Sequence, residues 1–299
     1  MDSEDSDFHG NQQIQEHLYE RVGKFDVQEW LQSYKANAGR PLPQQETTIK
    51  EADGLHNPYR GISYAWQLTE SVDDFLARLS PSRTEQNETT PWIFICNPFI
   101  SRLDKTNSGE IVKGSEDEAP GEEGQHLRLV VNGGMERLNL IKDLEDKLQQ
   151  AGKSQPVIKR EMSLERKRAV SDILSLAHAA RVRTGKWLLF CEPTEVDDIW
   201  EAVARATADN KLGIAAKVAP KCPEHGDRRQ QLLCVYTADF NDKADVGRVL
   251  QYLRKLKLFK AKETIYYKPD VYTYVGLSQG NPWGLRASIY TSRDFSLAK

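Results

Sequence analysis

A chain of 299 residues with 39% hydrophobic residues and a net charge of −3 is long enough for one large domain or two small ones. No apolar run approaches the ~20 residues a membrane helix needs. The acidic N-terminus (Asp2, Glu4, Asp5, Asp7) lacks the basic-then-apolar order of a signal peptide, and Cys96, Cys191, Cys222 and Cys234 have no framework spacing. The expectation is therefore a protein of the cytoplasm or nucleus with reduced thiols, not a membrane protein or a secreted disulfide scaffold.

Residues 1–50 read as mostly disordered, with one helix inside Gln12–Lys35, where Val27, Trp30, Leu31 and Tyr34 recur at i, i+3, i+4 and i+7. Residues 51–299 read as a single domain. Ile62–Leu68 has the pattern of a strand. Ser71 with Asp74 resembles a capping box, and Val72, Phe75, Leu76 and Leu79 stripe the helix that follows. Trp92–Cys96 reads as a strand bounded by prolines. Ser101–Gly124 is poor in apolar residues and carries Glu116, Asp117, Glu118, Glu122 and Glu123, which predicts a flexible acidic insertion. His126–Val131 reads as a strand closed by a Gly133-Gly134 turn. Leu138, Ile141, Leu144 and Leu148 predict a helix ending at Gly152. A second helix is expected from about Ser163 to Val182, with Arg166-Lys167-Arg168 near its start, where cations oppose the helix dipole.

From Gly185 onward the expected order is strand (Lys186–Phe190), helix (Glu195–Asn210, capped by Thr194), strand (Leu212–Val218), strand (Gln231–Thr237), helix (Asp242–Lys257) and strand (Thr264–Tyr274). This order predicts an α+β layer, an antiparallel sheet backed by helices. The charge is uneven along the chain. From Val157 on there are 25 Lys+Arg against 17 Asp+Glu, and before it 16 against 27. A basic second part suggests an anionic partner, although a mixed solvated surface explains it as well.

Chemistry-bearing signatures are few. No phosphate loop, nucleophile elbow or zinc-protease motif occurs. Cys222-Pro-Glu-His225 has metal-ligand spacing but no second ligand pair, so no metal or other cofactor is expected. His56, His126, His178 and His225 lie far apart, and an enzyme acting on an anionic small molecule is only a third reading. Aromatic and basic residues instead crowd the C-terminal part: Tyr266, Tyr267, Lys268, Tyr272, Tyr274, Trp283, Arg286, Tyr290 and Arg293. Aromatic faces stack on bases and cations neutralise phosphates; the same aromatics would also serve as core. Strand alternation would put Tyr266, Lys268, Tyr272 and Tyr274 on one side.

Several segments carry a family resemblance: Gly185-Lys186-Trp187-Leu188, Val196-Asp197-Asp198-Ile199-Trp200, Leu233-Cys234-Val235-Tyr236-Thr237 and Ala244-Asp245-Val246-Gly247-Arg248-Val249. They resemble the C-terminal half of translation initiation factor 4E, the mRNA cap-binding protein. Lys268-Pro269-Asp270-Val271-Tyr272-Thr273-Tyr274 and Asn281-Pro282-Trp283-Gly284 resemble a nearer family of unknown function, typified by the basophilic leukaemia-expressed protein. The resemblance implies an initiation-factor-4E-like fold, a curved antiparallel sheet with helices on its convex side, over about residues 55–295. It implies that Tyr59 takes the place of the first cap-stacking tryptophan, that Tyr236 stands at the strand position of the third, and that Lys217 lies near the place of the phosphate-binding arginine. The second tryptophan and the base-reading glutamate have no counterpart.

The leading expectation is a non-enzymatic binding protein that holds RNA or a nucleotide-like anion on the concave sheet face. Its candidate site residues are Tyr59, Arg60, Lys217, Tyr236, Lys268, Trp283 and Arg286. The alternative is a protein-interaction module that docks its partner on the helical face. Nothing in the sequence sets the oligomeric state.

Overall fold

The computed structural model describes residues 54–105, 112, 114–222, 230–260 and 262–295. These belong to one compact unit, Glu51–Lys299; the helix expected within Gln12–Lys35 and the segment 223–225 beside Cys222 lie outside the described residues.

The elements run α1 (Val72–Arg78), β1 (Ile93–Cys96), α2 (Leu127–Gln150), α3 (Gln155–Ala179), β2 (Gly185–Cys191), α4 (Val196–Ala208), β3 (Ala215–Val218), β4 (Gln231–Thr237), α5 (Lys243–Lys255), β5 (Tyr266–Pro269), α6 (Asp270–Tyr274) and β6 (Tyr290–Thr291). One six-stranded sheet has the order β1-β3-β4-β2-β5-β6, and every neighbouring pair is antiparallel. The chain is thus α+β with an open antiparallel sheet.

The register sorts the strands into two faces. Ile95, Ala216, Val235, Trp187 and Tyr267 form one cross-strand row, with Ile93, Val218, Leu233 and Leu189 beside them, and all nine are buried. Trp187 donates its indole N–H to the Val246 carbonyl of α5 at 3.1 Å, so this is the helix-covered face. Alternation sends Cys96, Ala215, Tyr236, Lys186 and Lys268, and then Phe94, Lys217, Cys234, Leu188 and Tyr266, to the opposite face. Gly213 is required just before β3, since a Cβ there would sit 1.7 Å from the Tyr236 carbonyl oxygen.

Five local expectations are corrected. Ile62–Leu68 is a run of turns with one bridge, Ala65 to Phe94. The Gln67 amide donates to the carbonyls of Tyr59, Ile62 and Ala65, and this replaces a strand ladder. His126–Val131 and the glycine pair are not a strand and turn; they lie at the start of α2. The glycines permit close approach, because a Cβ at Gly133 would meet Leu176 at 2.7 Å and one at Gly134 would meet Val275 at 2.8 Å.

Helix α3 begins at Gln155, with Pro156 in its first turn, so Arg166-Lys167-Arg168 sit in mid-helix and the dipole cost does not arise. Thr194 does not cap α4; Glu195 holds the cap position without a side-chain bond. Finally, the last long strand stops at Pro269 and turns into α6, which takes Tyr272 and Tyr274 off the face shared by Tyr266 and Lys268. The Ser71 cap, by contrast, is present: its hydroxyl accepts from the Asp74 N–H at 3.1 Å.

Candidate functional site: a buried charge box and an open aromatic strip on one sheet face

Three adjacent strands supply the donors of a buried polar cluster. Lys217 comes from β3, Tyr236 from β4 and Lys186 from β2, all on the face away from α5. Into this donor set the segment 114–124 inserts Glu118, which is 4% exposed. Of the acidic insertion expected to be flexible, Glu118, Ala119 and Pro120 are buried here.

Glu118 Oε2 accepts from the Lys186 ammonium and from the Tyr236 hydroxyl at 2.7 Å, while Oε1 lies 3.5 Å from Lys217 Nζ. Lys217 also donates to the Asp117 carbonyl and stands 3.8 Å from the centroid of the Trp92 ring. Lys186 reaches Asp270 at 3.0 Å and Thr273 Oγ1 at 3.1 Å. Asp270 is anchored in turn by the Thr184 hydroxyl at 2.6 Å.

Two ammoniums and two carboxylates balance, which makes burial of this cluster tolerable. Burial alone would raise the Glu118 carboxyl, but Lys186 and Lys217 reverse the effect and hold it well below the usual carboxylate range. Asp270 faces the same burial with one ammonium, and with Glu118 repelling it, so its carboxyl stays above its ordinary value. Burial opposes the Lys186 charge, yet the two carboxylates outweigh it and raise the ammonium. Burial raises the Tyr236 phenol well above its ordinary value, and Glu118 adds to this. At the margin, burial pushes the Lys105 amine down to about 8.

The residues singled out from sequence divide into two groups. Lys217 and Tyr236 lie in the cluster, but sequestered and bonded to Glu118. Tyr59 is fully buried and stacks on Phe94 with ring centroids 5.0 Å apart. Lys268 is half-buried in the same cross-strand row as Lys186 and Tyr236, where burial and the Lys186 charge lower its amine. Arg60 is exposed. Trp283 and Arg286 belong to another corner: the Trp283 carbonyl accepts from Arg166 Nε at 2.7 Å, and exposed Arg286 acts on Asp294.

Sequence reasoning missed Glu118, Lys186, Asp270 and Trp92. Glu118 is one acid in an acidic run, and its only local mark is the following Ala119-Pro120. Nor did it select Phe190. Beyond Lys217 the same sheet face opens. Phe190 is 53% and Tyr266 47% exposed, and they lie diagonally on paired strands, since Tyr266 faces Leu188. A cleft of about 920 Å³ adjoins Phe190, lined also by Trp92, Pro193, Pro220, Lys221 and Leu232. Trp92 therefore borders both the closed box and the open cleft.

His178 does stand beside a carboxylate, Asp239, at 3.1 Å, and its ring meets Phe240 edge-on; Asp239 also lies 3.8 Å from Arg183, which pairs with Glu122. Among the described residues no group of three or more His, Cys, Asp or Glu could hold a metal ion, and no helix is long and apolar enough to cross a membrane.

Among solved structures, the complex of C. elegans eIF4E-3 with the 4E-binding protein Mextli and a cap analog is similar over 30% of this chain, at 17% identity and a TM-score of 0.26. The similarity spans 52% of that chain, about half its length. The family model of the basophilic leukemia-expressed protein Bles03 matches residues 18–276, and the chain belongs to that family.

Proposed function

We propose that this protein is a non-enzymatic binding protein that takes single-stranded RNA or a nucleotide-like anion on the open half of the sheet face. The observation that carries the reading is the pair Phe190 and Tyr266, two large aromatics exposed on paired strands, of which Phe190 lines the Trp92–Leu232 cleft. Exposed aromatics on a sheet are stacking platforms for bases of any sequence, and Lys268 and Lys221 border them as phosphate partners. The reading moves the contact surface away from Tyr59, Lys217 and Tyr236, whose polar atoms are enclosed.

The helical-face adaptor reading rests on a different set: of the large exposed apolar residues, Leu129 and Leu140 lie on α2 and Val157 and Leu164 on α3, while none belongs to α4 or α5.

Fluorescence anisotropy with a labelled single-stranded RNA and with nucleoside triphosphates, at about 50 and about 200 mM salt, tests the proposal. Phe190→Ala and Tyr266→Ala should each weaken binding by about 5- to 100-fold. Absence of binding at the lower salt, or wild-type affinity in the double variant, overturns it.

A further inference from the structure

The box beside the open strip has the composition of a receptor rather than of an ordinary surface ion pair. All its donors are carried by β2, β3 and β4 and are fixed by their register. Its central acceptor, Glu118, is carried by a segment with no helix or strand. Without Glu118 the sheet would hold Lys186 and Lys217 against Asp270 alone, leaving one buried positive charge uncompensated.

The inserted segment is also imperfectly packed. A cavity of about 140 Å³ borders it, lined by Tyr59, Tyr64, Phe94, Lys105, Ser115 and Glu116 among others. The Tyr59 hydroxyl, on a residue with no exposed surface, has no hydrogen-bond partner. A buried hydroxyl without a partner is costly.

We propose that Lys186, Lys217 and Tyr236 form a binding site for a carboxylate or phosphoryl group, and that Glu118 is its resident intramolecular occupant. The chain's own carboxylate competes with anions from solution. Since Trp92 borders both box and cleft, its ring is what separates Lys217 from a molecule lying in the cleft, and entry of an anionic group requires that Glu118 leave and the Trp92 ring move aside. This site is independent of base stacking on Phe190 and Tyr266, so either reading can fail without the other.

The test is chemical rescue of Glu118→Ala, with inorganic phosphate and acetate as probes and chloride of equal ionic strength as the control. Thermal melting of Glu118→Ala should fall below wild type and then rise by about 3 °C or more with phosphate or acetate but not chloride. The half-maximal phosphate concentration should be at least about tenfold lower than for wild type, whose site is already filled. Glu118→Ala/Lys217→Ala should lose the response.

If Glu118→Ala does not stay folded, its refolding yield in phosphate against chloride is the readout. A higher yield in phosphate supports the site. Equal yields, an equal response in chloride, or an undiminished response in the double variant overturns it.

Discussion

The Tyr236 hydroxyl donates to Glu118 Oε2 at 2.7 Å, tying β4 to a segment 118 residues earlier in the chain. The bond is buried and charge-assisted, a class worth about 1.5–3 kcal/mol. Tyr236→Phe keeps the ring, which is fully enclosed, and removes only the donor. Urea unfolding should show a loss of about that size with an unchanged m-value. A neutral outcome would mean that the two lysines alone hold Glu118 in place.

Acid should unfold this protein partly through the same carboxylate. Glu118 is held below its ordinary value in the folded state despite burial, by Lys186 and Lys217. The stability it contributes is present above the unfolded value of about 4.3 and is lost as pH falls toward the lower folded value. Asp270 carries the opposite sign. Its carboxyl is raised by burial, so its contribution is present at low pH and lost as pH rises through its folded value. Glu118→Gln should therefore flatten the fall in stability below about pH 4.3, as read by urea midpoints from pH 3 to 7. An acid limb as steep in Glu118→Gln as in wild type would assign the acid sensitivity to other groups.

The close approach of Gly134 to Val275 gives a prediction with an internal control. Alanine in a helix interior normally gains about 0.8–1.0 kcal/mol over glycine. A Cβ at Gly134, however, would meet Val275 Cγ1 at 2.8 Å, and overpacking costs about 1–3 kcal/mol. Gly134→Ala should be neutral or destabilising in the wild-type background, yet stabilising when measured in Val275→Ala. A double-mutant cycle with no coupling would show that α2 and the Val275 region do not touch as described.

How much of this was legible in the residues varies with the range of the interaction that decides each element. β2, β4, α4 and α5 were readable because one stripe or one alternating set is buried, and Trp187, Trp200, Val246 and Leu250 mark it. The start of α2 was misread because six residues cannot separate alternation from a helical stripe, and because Gly133-Gly134 looks like a turn until Leu176 and Val275 are in place. Register puts Lys217, Tyr236 and Lys268 on one sheet face, a relation between three strands that alternation within a single strand does not give. Apart from the Ala119-Pro120 that follows it, nothing local distinguishes Glu118 from Glu116: the first is buried and the second exposed, and the first meets the Lys186 and Lys217 partners, 68 and about 100 residues away.

Trp187 and Phe190 stand on one strand three residues apart, and alternation assigns them to opposite faces. Trp187 is fully enclosed, donates to Val246 and packs edge-on against Tyr267 at 5.3 Å. Its truncation to alanine should cost about 3–5 kcal/mol, or prevent folding outright. Phe190 is 53% exposed and makes no aromatic pair among the described residues, so Phe190→Ala should change stability by about 0.5 kcal/mol or less while weakening RNA binding. Guanidinium unfolding of both variants, run beside the RNA titration, separates the two faces. If Phe190→Ala proves as destabilising as a core truncation, that half of the sheet is covered in solution, and the aromatic strip is then a core surface with no room for a base.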